Sequence, residues 1–217
     1  MKKILITGYE PFGGDDYNPS LDAARRLEGE TYKGHVFVCE PVPVNRFECI
    51  KKIKEALEKH DPHIVLALGL AWNREGISVE RVAINVADFP IPDNAGYQAM
   101  GEIIDENGQN AYFAHLPIRT IVSRLRAAGI PARISNTAGT FCCNIVMYTI
   151  LKWIEEKNDG RKGGFLHIPF ETRQAAEKHE QVPFMDIESV VKAVRVAAQT
   201  AVDNEEDTAH LISGEVS

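Results

Sequence analysis

Two cysteines stand side by side in residues 135–148, SNTAGTFCCNIVMY, between a turn of small residues and an apolar run of helical character. A thiol just ahead of a helix lies near the unpaired amides of the first turn, where the helix dipole favours a thiolate. With a helix opening at Asn144, Cys143 is that residue. Successive positions in a helical turn point about 100° apart, so Cys142 and Cys143 do not both face one cleft. The preceding Thr137, Ala138 and Gly139 leave room for a substrate and free backbone amides that could form an oxyanion hole. The competing reading is that both thiols are small buried hydrophobes, the commoner fate of a cysteine in apolar surroundings.

A nucleophilic thiol needs an imidazole to hold its proton. Of the seven histidines, His60 and His63 bracket a helix-to-strand turn, His35 begins a strand, and His179 and His210 lie in charged segments. Most of these read as surface residues. His167, in GGFLHIPF, falls at the C-terminal end of a strand, the edge at which parallel α/β sheets build their sites, and His115 in YFAHLPIR competes with it. A strand-end histidine satisfied by structural hydrogen bonds is the alternative. A third group must orient the ring, and Glu80 is a carboxylate placed inside an apolar strand, where an unpaired charge is expensive. Adjacent strand residues point to opposite faces, so Arg81 is poorly placed to neutralise it. Glu80, Cys143 and His167 together make a Cys–His–carboxylate constellation assembled from strand ends.

The elements that must position these residues are short apolar strands at 3–8, 35–40, 63–69, 78–87, 132–135 and 164–168. Most are continuous runs, as expected where helices cover both faces of a largely parallel sheet. Helices fall between them. Asn18 caps one with Pro19 at its first position, and Asn45 with Glu48 forms a capping box for a second. The others are placed at 118–128, 144–157 and 187–202. Alternation of strand and helix throughout predicts one α/β domain of three layers over residues 1–217. Residues 88–112 are too long for a plain connection and read as a functional loop with a small hairpin. The tail at 204–217 is acidic and ends on an apolar patch.

The 217 residues are 44% hydrophobic and 25% charged, with net charge −7 and scattered Lys and Arg, which argues against a nucleic-acid partner. The opening apolar run stops after Ile6 and no cleavage site follows, and no run is long enough to cross a bilayer. A soluble intracellular protein is expected, with no membrane partner. Four cysteines without a C-x-x-C pair read as reduced thiols. The glycines of TGYEPFGG match neither the Walker nor the dinucleotide pattern, so a phosphate cradle has weak support.

ILITGYEPFGG, NPS, LGLA, ISVERVAINVADFPIPDN, AYFAHLPI, SNTAGTFCCNIVMY and GFLHIPF follow one another along nearly the whole chain. In these stretches the sequence resembles the pyroglutamyl peptidase I (pyrrolidone-carboxylate peptidase) family of cysteine exopeptidases. The resemblance implies an α/β/α sandwich around a twisted mixed, largely parallel sheet. It implies Cys143 as nucleophile, His167 as base and Glu80 as the acidic member, with Cys142 a packing residue. Phe12 and Phe141 would form an apolar pocket for the lactam ring, with groups at Gly69, Leu70 and Ala71 and at Ile91 in the loop meeting the substrate. Pyroglutamyl peptides are the expected partners, the cytosol the expected compartment, and a homo-oligomer, a tetramer in many members, the expected assembly. No metal or organic cofactor is implied. The sequence departs from the family pattern in two places: Pro90 stands where an arginine is usual, and Trp72 and Asn73 replace two small residues, which reshapes the mouth of the site.

Overall fold

The computed structural model describes residues 1–203 and 206–207 of the chain, so most of the 204–217 tail lies outside the described residues. The chain begins with strand β1 (Lys2–Tyr9), helix α1 (Pro19–Leu27), β2 (Thr31–Tyr32), β3 (His35–Val42), α2 (Glu48–His60) and β4 (Ile64–Leu70). It continues with β5 (Ile77–Glu80), β6 (Val82–Ile84), β7 (Ala111–Phe113), α3 (Ile118–Ala127), β8 (Ala132–Ser135) and α4 (Cys142–Lys157). The last elements are β9 (Lys162–Ile168), β10 (Phe170–Glu171), α5 (Thr172–Glu177), β11 (Phe184–Met185) and α6 (Ile187–Asp203). None of the helices described is long and apolar enough to cross a membrane.

A seven-stranded sheet runs in the order β2-β3-β1-β4-β9-β5-β8. It is mixed: β2 lies antiparallel to β3 and β5 antiparallel to β9, while the other neighbours are parallel. Alternating side chains feed two cores. Ile4, Ile6, Leu66 and Leu68 pack under α1, α3 and α6, whereas Leu5, Val65, Ala67 and Phe165 pack under α2 and α4. Helix α1 lies so close to β1 that a Cβ at Gly8 would fall 2.4 Å from the Ser20 carbonyl oxygen. Its start is as expected, with the Asn18 side chain accepting from the Ser20 amide and Pro19 opening the first turn.

Four expectations change. The strand placed at 78–87 is two strands in different sheets, because at Arg81 the backbone N–H still reaches Ser135 of β8 but the carbonyl accepts from Ala114, beside the β6–β7 hairpin. That hairpin is the stem of the long loop. Helix α4 begins at Cys142, two residues earlier than expected, with Phe141 as its extended cap residue. At α2, Asn45 does cap, its side chain accepting from the Phe47 and Glu48 amides, but the regular helix starts at Glu48, whose carboxylate pairs with Lys51. His35, one of five histidines that read mostly as surface residues, is buried.

Candidate active site

Cys143 sits in the first turn of α4, so the thiol approaches the sheet from a helix start, not from a strand end. Phe141 contributes no side-chain cap, which leaves the first-turn amides free of a competing side-chain acceptor. The turn is held from two sides. The Tyr9 hydroxyl donates to the Cys142 carbonyl at 2.9 Å. Asn144, on the sequence a helix-start residue, works outward instead. Its Oδ1 accepts from the Ile84 amide, and its Nδ2 donates to the Ile84 and Val86 carbonyls, which fastens the β6 hairpin over α4.

Strand β4 runs directly below, in register with β9 so that Gly69 lies beside His167. A Cβ at Gly69 would fall 2.9 Å from Cys143 Sγ and 2.7 Å from Phe165 Cζ. Only a glycine leaves the sulfur room to reach the sheet there. His167 is buried, with its ring 4.8 Å from that of Phe165.

Glu80 reaches the same imidazole from the other side. Strand β5 is antiparallel to β9 with Ser78 opposite His167, so Glu80, two residues on and on the same face, leans back to the ring. Its Oε1 lies 2.7 Å from His167 Nδ1, which leaves Nε2 as the nitrogen available to the sulfur. Burial disfavours the imidazolium, but the Cys143 sulfur, by charge and hydrogen bonding, and then the Glu80 carboxylate outweigh it, and His167 is pushed up to about 9. Glu80 is fully buried, and a buried carboxylate needs compensation beyond one ring. The cation is Arg74, whose Nη2 lies 3.7 Å from Glu80 Oε1 and also donates to Ser135 Oγ and the Thr137 carbonyl. Arg74 escaped the sequence reading because it sits in a turn between strands, where no periodicity marks it.

The structure thus brings Cys143, His167 and Glu80 together and sets their competitors apart from His167, although Cys142 and Cys143 both line one cavity, contrary to the expectation that they would not share a cleft. His115 pairs with Glu155 on the far part of α4, at 3.0 Å. Cys142 is buried, and a hydrogen bond with Cys49 together with burial pushes its thiol well above the ordinary value. Burial likewise holds the Cys39 thiol up at about 11.

A cavity of about 240 Å³ opens beside the Cys143 sulfur, lined among others by Phe12, Leu70, Phe141 and Trp72. Phe12 and Phe141 pack against each other at a tilt of 44°, with ring centroids 5.3 Å apart. Phe89, which the sequence reading did not single out, backs Phe141 edge-on at 4.4 Å. The long loop fixes this wall, since the Thr140 and Asp88 backbones pair at 3.0 Å and Thr140 Oγ1 donates to the Asp88 carbonyl. Of the other expected pocket residues, Gly69 provides clearance for the sulfur, and Ala71 continues the strand edge through a bond from its amide to the Ile168 carbonyl. Neither is among the residues lining the cavity. Ile91 does not line it either: it follows Pro90 on the outer part of the loop and is 49% exposed.

A thiol on a helix start, an imidazole and a buried carboxylate at the edge of a three-layer α/β sheet define the cysteine-type hydrolases as the class. Comparison with known proteins narrows this. Residues 2–204 match the family model of pyroglutamyl peptidase, and the chain belongs to that family. It is 45% identical over 210 residues to the pyrrolidone-carboxylate peptidase of Vibrio campbellii, covering 96% of this chain and 97% of that one. The crystal structure of Bacillus amyloliquefaciens pyroglutamyl peptidase I superposes with a TM-score of 0.91 at 40% identity, over 95% of this chain and all of that one. The pyrrolidone carboxyl peptidase of Thermococcus litoralis gives 0.90, also at 40% identity, over 94% of each chain.

Proposed function

We propose that this chain is a cysteine exopeptidase that removes N-terminal pyroglutamate from peptides, with Cys143 as nucleophile, His167 as proton carrier and Glu80 as the group that orients the ring. The observation that carries the reading is the buried His167, held by Glu80 at 2.7 Å and raised by the neighbouring Cys143 sulfur. Cys143, as its thiolate, attacks the carbonyl carbon of the pyroglutamyl residue, and the electron pair displaced onto oxygen is met by helix-start amides. His167 gives its proton to the leaving nitrogen as the C–N bond breaks. Water then attacks the thioester, His167 takes its proton, and pyroglutamate departs as the thiolate returns. The residues act as one domain spanning 1–217, in a cytosolic homo-oligomer, a tetramer on family resemblance.

Specificity follows from what a lactam offers. Its ring is compact and uncharged, suited to the apolar cavity that Phe12 and Phe141 line together. An N-terminal Gln or Glu would bring an ammonium into that apolar slot, at a cost of about 4 kcal/mol or roughly a thousandfold. Proline keeps the ring but carries a charged nitrogen and no ring carbonyl. Comparing pyroglutamyl, prolyl, glutaminyl and glutamyl amides in one assay tests this: only the first is cleaved at an appreciable rate, and a prolyl amide cleaved as fast would refute the polar half of the argument.

A further inference from the structure

We infer that Trp72 forms the binding surface for the residue on the leaving side of the scissile bond, and that it selects substrates whose second residue carries a bulky apolar side chain. The inference rests on the peptidase reading above and extends it to the half of the substrate that the reaction releases.

Trp72 is a large apolar side chain at a place that folding alone does not explain. It is 68% exposed, yet it lines the same cavity as Cys143, Phe12 and Phe141. An indole left in water at the rim of a site is an unfilled contact surface. The buried lining residues Tyr9, Val44 and Cys142 mark the inner end of the cavity, and Trp72 belongs to its solvent-facing end. The cavity's 240 Å³ corresponds to the room of roughly eight waters. A pyroglutamyl acyl group, its atoms joined by covalent bonds, fills less than that. With the ring in the cavity against Phe12 and Phe141 and the carbonyl at Cys143, the peptide can leave only toward solvent, which brings its first side chain to the rim.

The surface is also held in place. Gly69 abuts the Cys143 sulfur, and Trp72 lies three residues further on, after the Ala71 amide has bonded to the Ile168 carbonyl next to His167. The turn closes through the Arg74 amide on the Ala71 carbonyl, and the Arg74 side chain ties it to Ser135, Thr137 and Glu80. The indole therefore stands on the same tied turn that anchors the orienting carboxylate, which leaves little backbone to order when substrate arrives. The cavity is also lined by Asp15 and Lys178, an ion pair at 2.8 Å whose two charges already satisfy each other and offer a leaving side chain no net charge to read. Apolar contact is the discriminating feature that remains.

Half-covering a leucine or phenylalanine side chain against the indole corresponds to a gain of about five- to tenfold in kcat/KM over alanine. The test measures kcat/KM for pyroglutamyl-Leu, -Phe, -Ala, -Lys and -Glu dipeptide amides with the parent enzyme, Trp72→Ala and Trp72→Phe. The parent is expected to favour Leu and Phe over Ala and Glu by that factor, Trp72→Ala to bring the ratio to about one, and Trp72→Phe to keep most of it. A parent that cleaves all five at equal rates, or a Trp72→Ala enzyme that keeps the parent's ratio, overturns the inference and leaves the peptidase reading intact. A preference led by Lys overturns it in favour of a cation held over the indole face. If none of the five is cleaved, the peptidase reading itself fails.

Discussion

Replacing Gly69 by alanine inserts one methyl group between the sheet and the nucleophile. The new Cβ would lie 2.9 Å from Cys143 Sγ and 2.7 Å from Phe165 Cζ. Comfortable contacts begin near 3.5 Å, so each neighbour must give by roughly 0.5–1 Å. The two respond differently. Phe165 is fully buried between β4, β9 and α4 and moves only with its surroundings, an overpacking cost of about 1–3 kcal/mol. Cys143 Sγ is a side-chain terminus and escapes by turning about χ1, away from His167, which costs little stability but spoils the alignment on which attack depends. A displacement of this size in a reacting group costs about a hundredfold. Gly69→Ala should therefore lower kcat by about 30- to 100-fold on a pyroglutamyl amide, with a fall in Tm of roughly 2–12 °C. A folded Gly69→Ala enzyme with kcat within threefold of the parent would refute the role of Gly69 as clearance for the sulfur.

Two further outcomes follow from the geometry. Cys143→Ser should abolish hydrolysis while Cys142→Ser, at a buried packing position, keeps most of it; equal losses in two folded variants would break the assignment. His167 is held at about 9, above the ordinary histidine value near 6.5, so its contribution to stability is full below about pH 6.5 and is lost as pH rises through about 9. Urea denaturation between pH 6.5 and 9.5 should show that decline, and NMR titration of Cys143→Ala should find His167 well below 9; an unchanged value would mean that the sulfur is not what holds the proton.

Much of this arrangement could be read before folding, for identifiable reasons. The sheet strands announce themselves as continuous apolar runs because helices cover both faces, and β8 at Ala132–Ser135 falls where the pattern puts it. Glu80 and His167 stand out because a charge and an imidazole interrupt such runs. What escaped depends on contacts made across the chain. The charges at Glu80 and Arg81 interrupt the apolar run, but they do not announce a break, since residues on both sides are strand-like; the break is set by where the backbone partners lie. Helix α4 begins at Cys142 because Tyr9 and the β6 hairpin hold its first turn, and neither constraint is local. The short α5 did carry a local signal, the Glu171 and Gln174 capping box that the structure contains, and six residues are too few for periodicity to reveal. Arg74 and Phe89 lie in irregular segments, and only the folded chain brings them to Glu80 and Phe141. Ile91 shows the converse: a sequence neighbour of the wall-forming Phe89, it points the reading toward a pocket that its exposed position does not join.

The claim on which everything else depends is that Cys143 carries the pyroglutamyl group during turnover. Acid quenching during rapid hydrolysis of a pyroglutamyl ester, followed by intact-mass measurement and peptide mapping, addresses it directly. One added pyroglutamyl group per chain is expected, carried on the sulfur of Cys143 and absent from Cys143→Ser. A group found on Cys142 or on any residue other than Cys143, or continued hydrolysis by the Cys143→Ser enzyme at the parent rate, would contradict it.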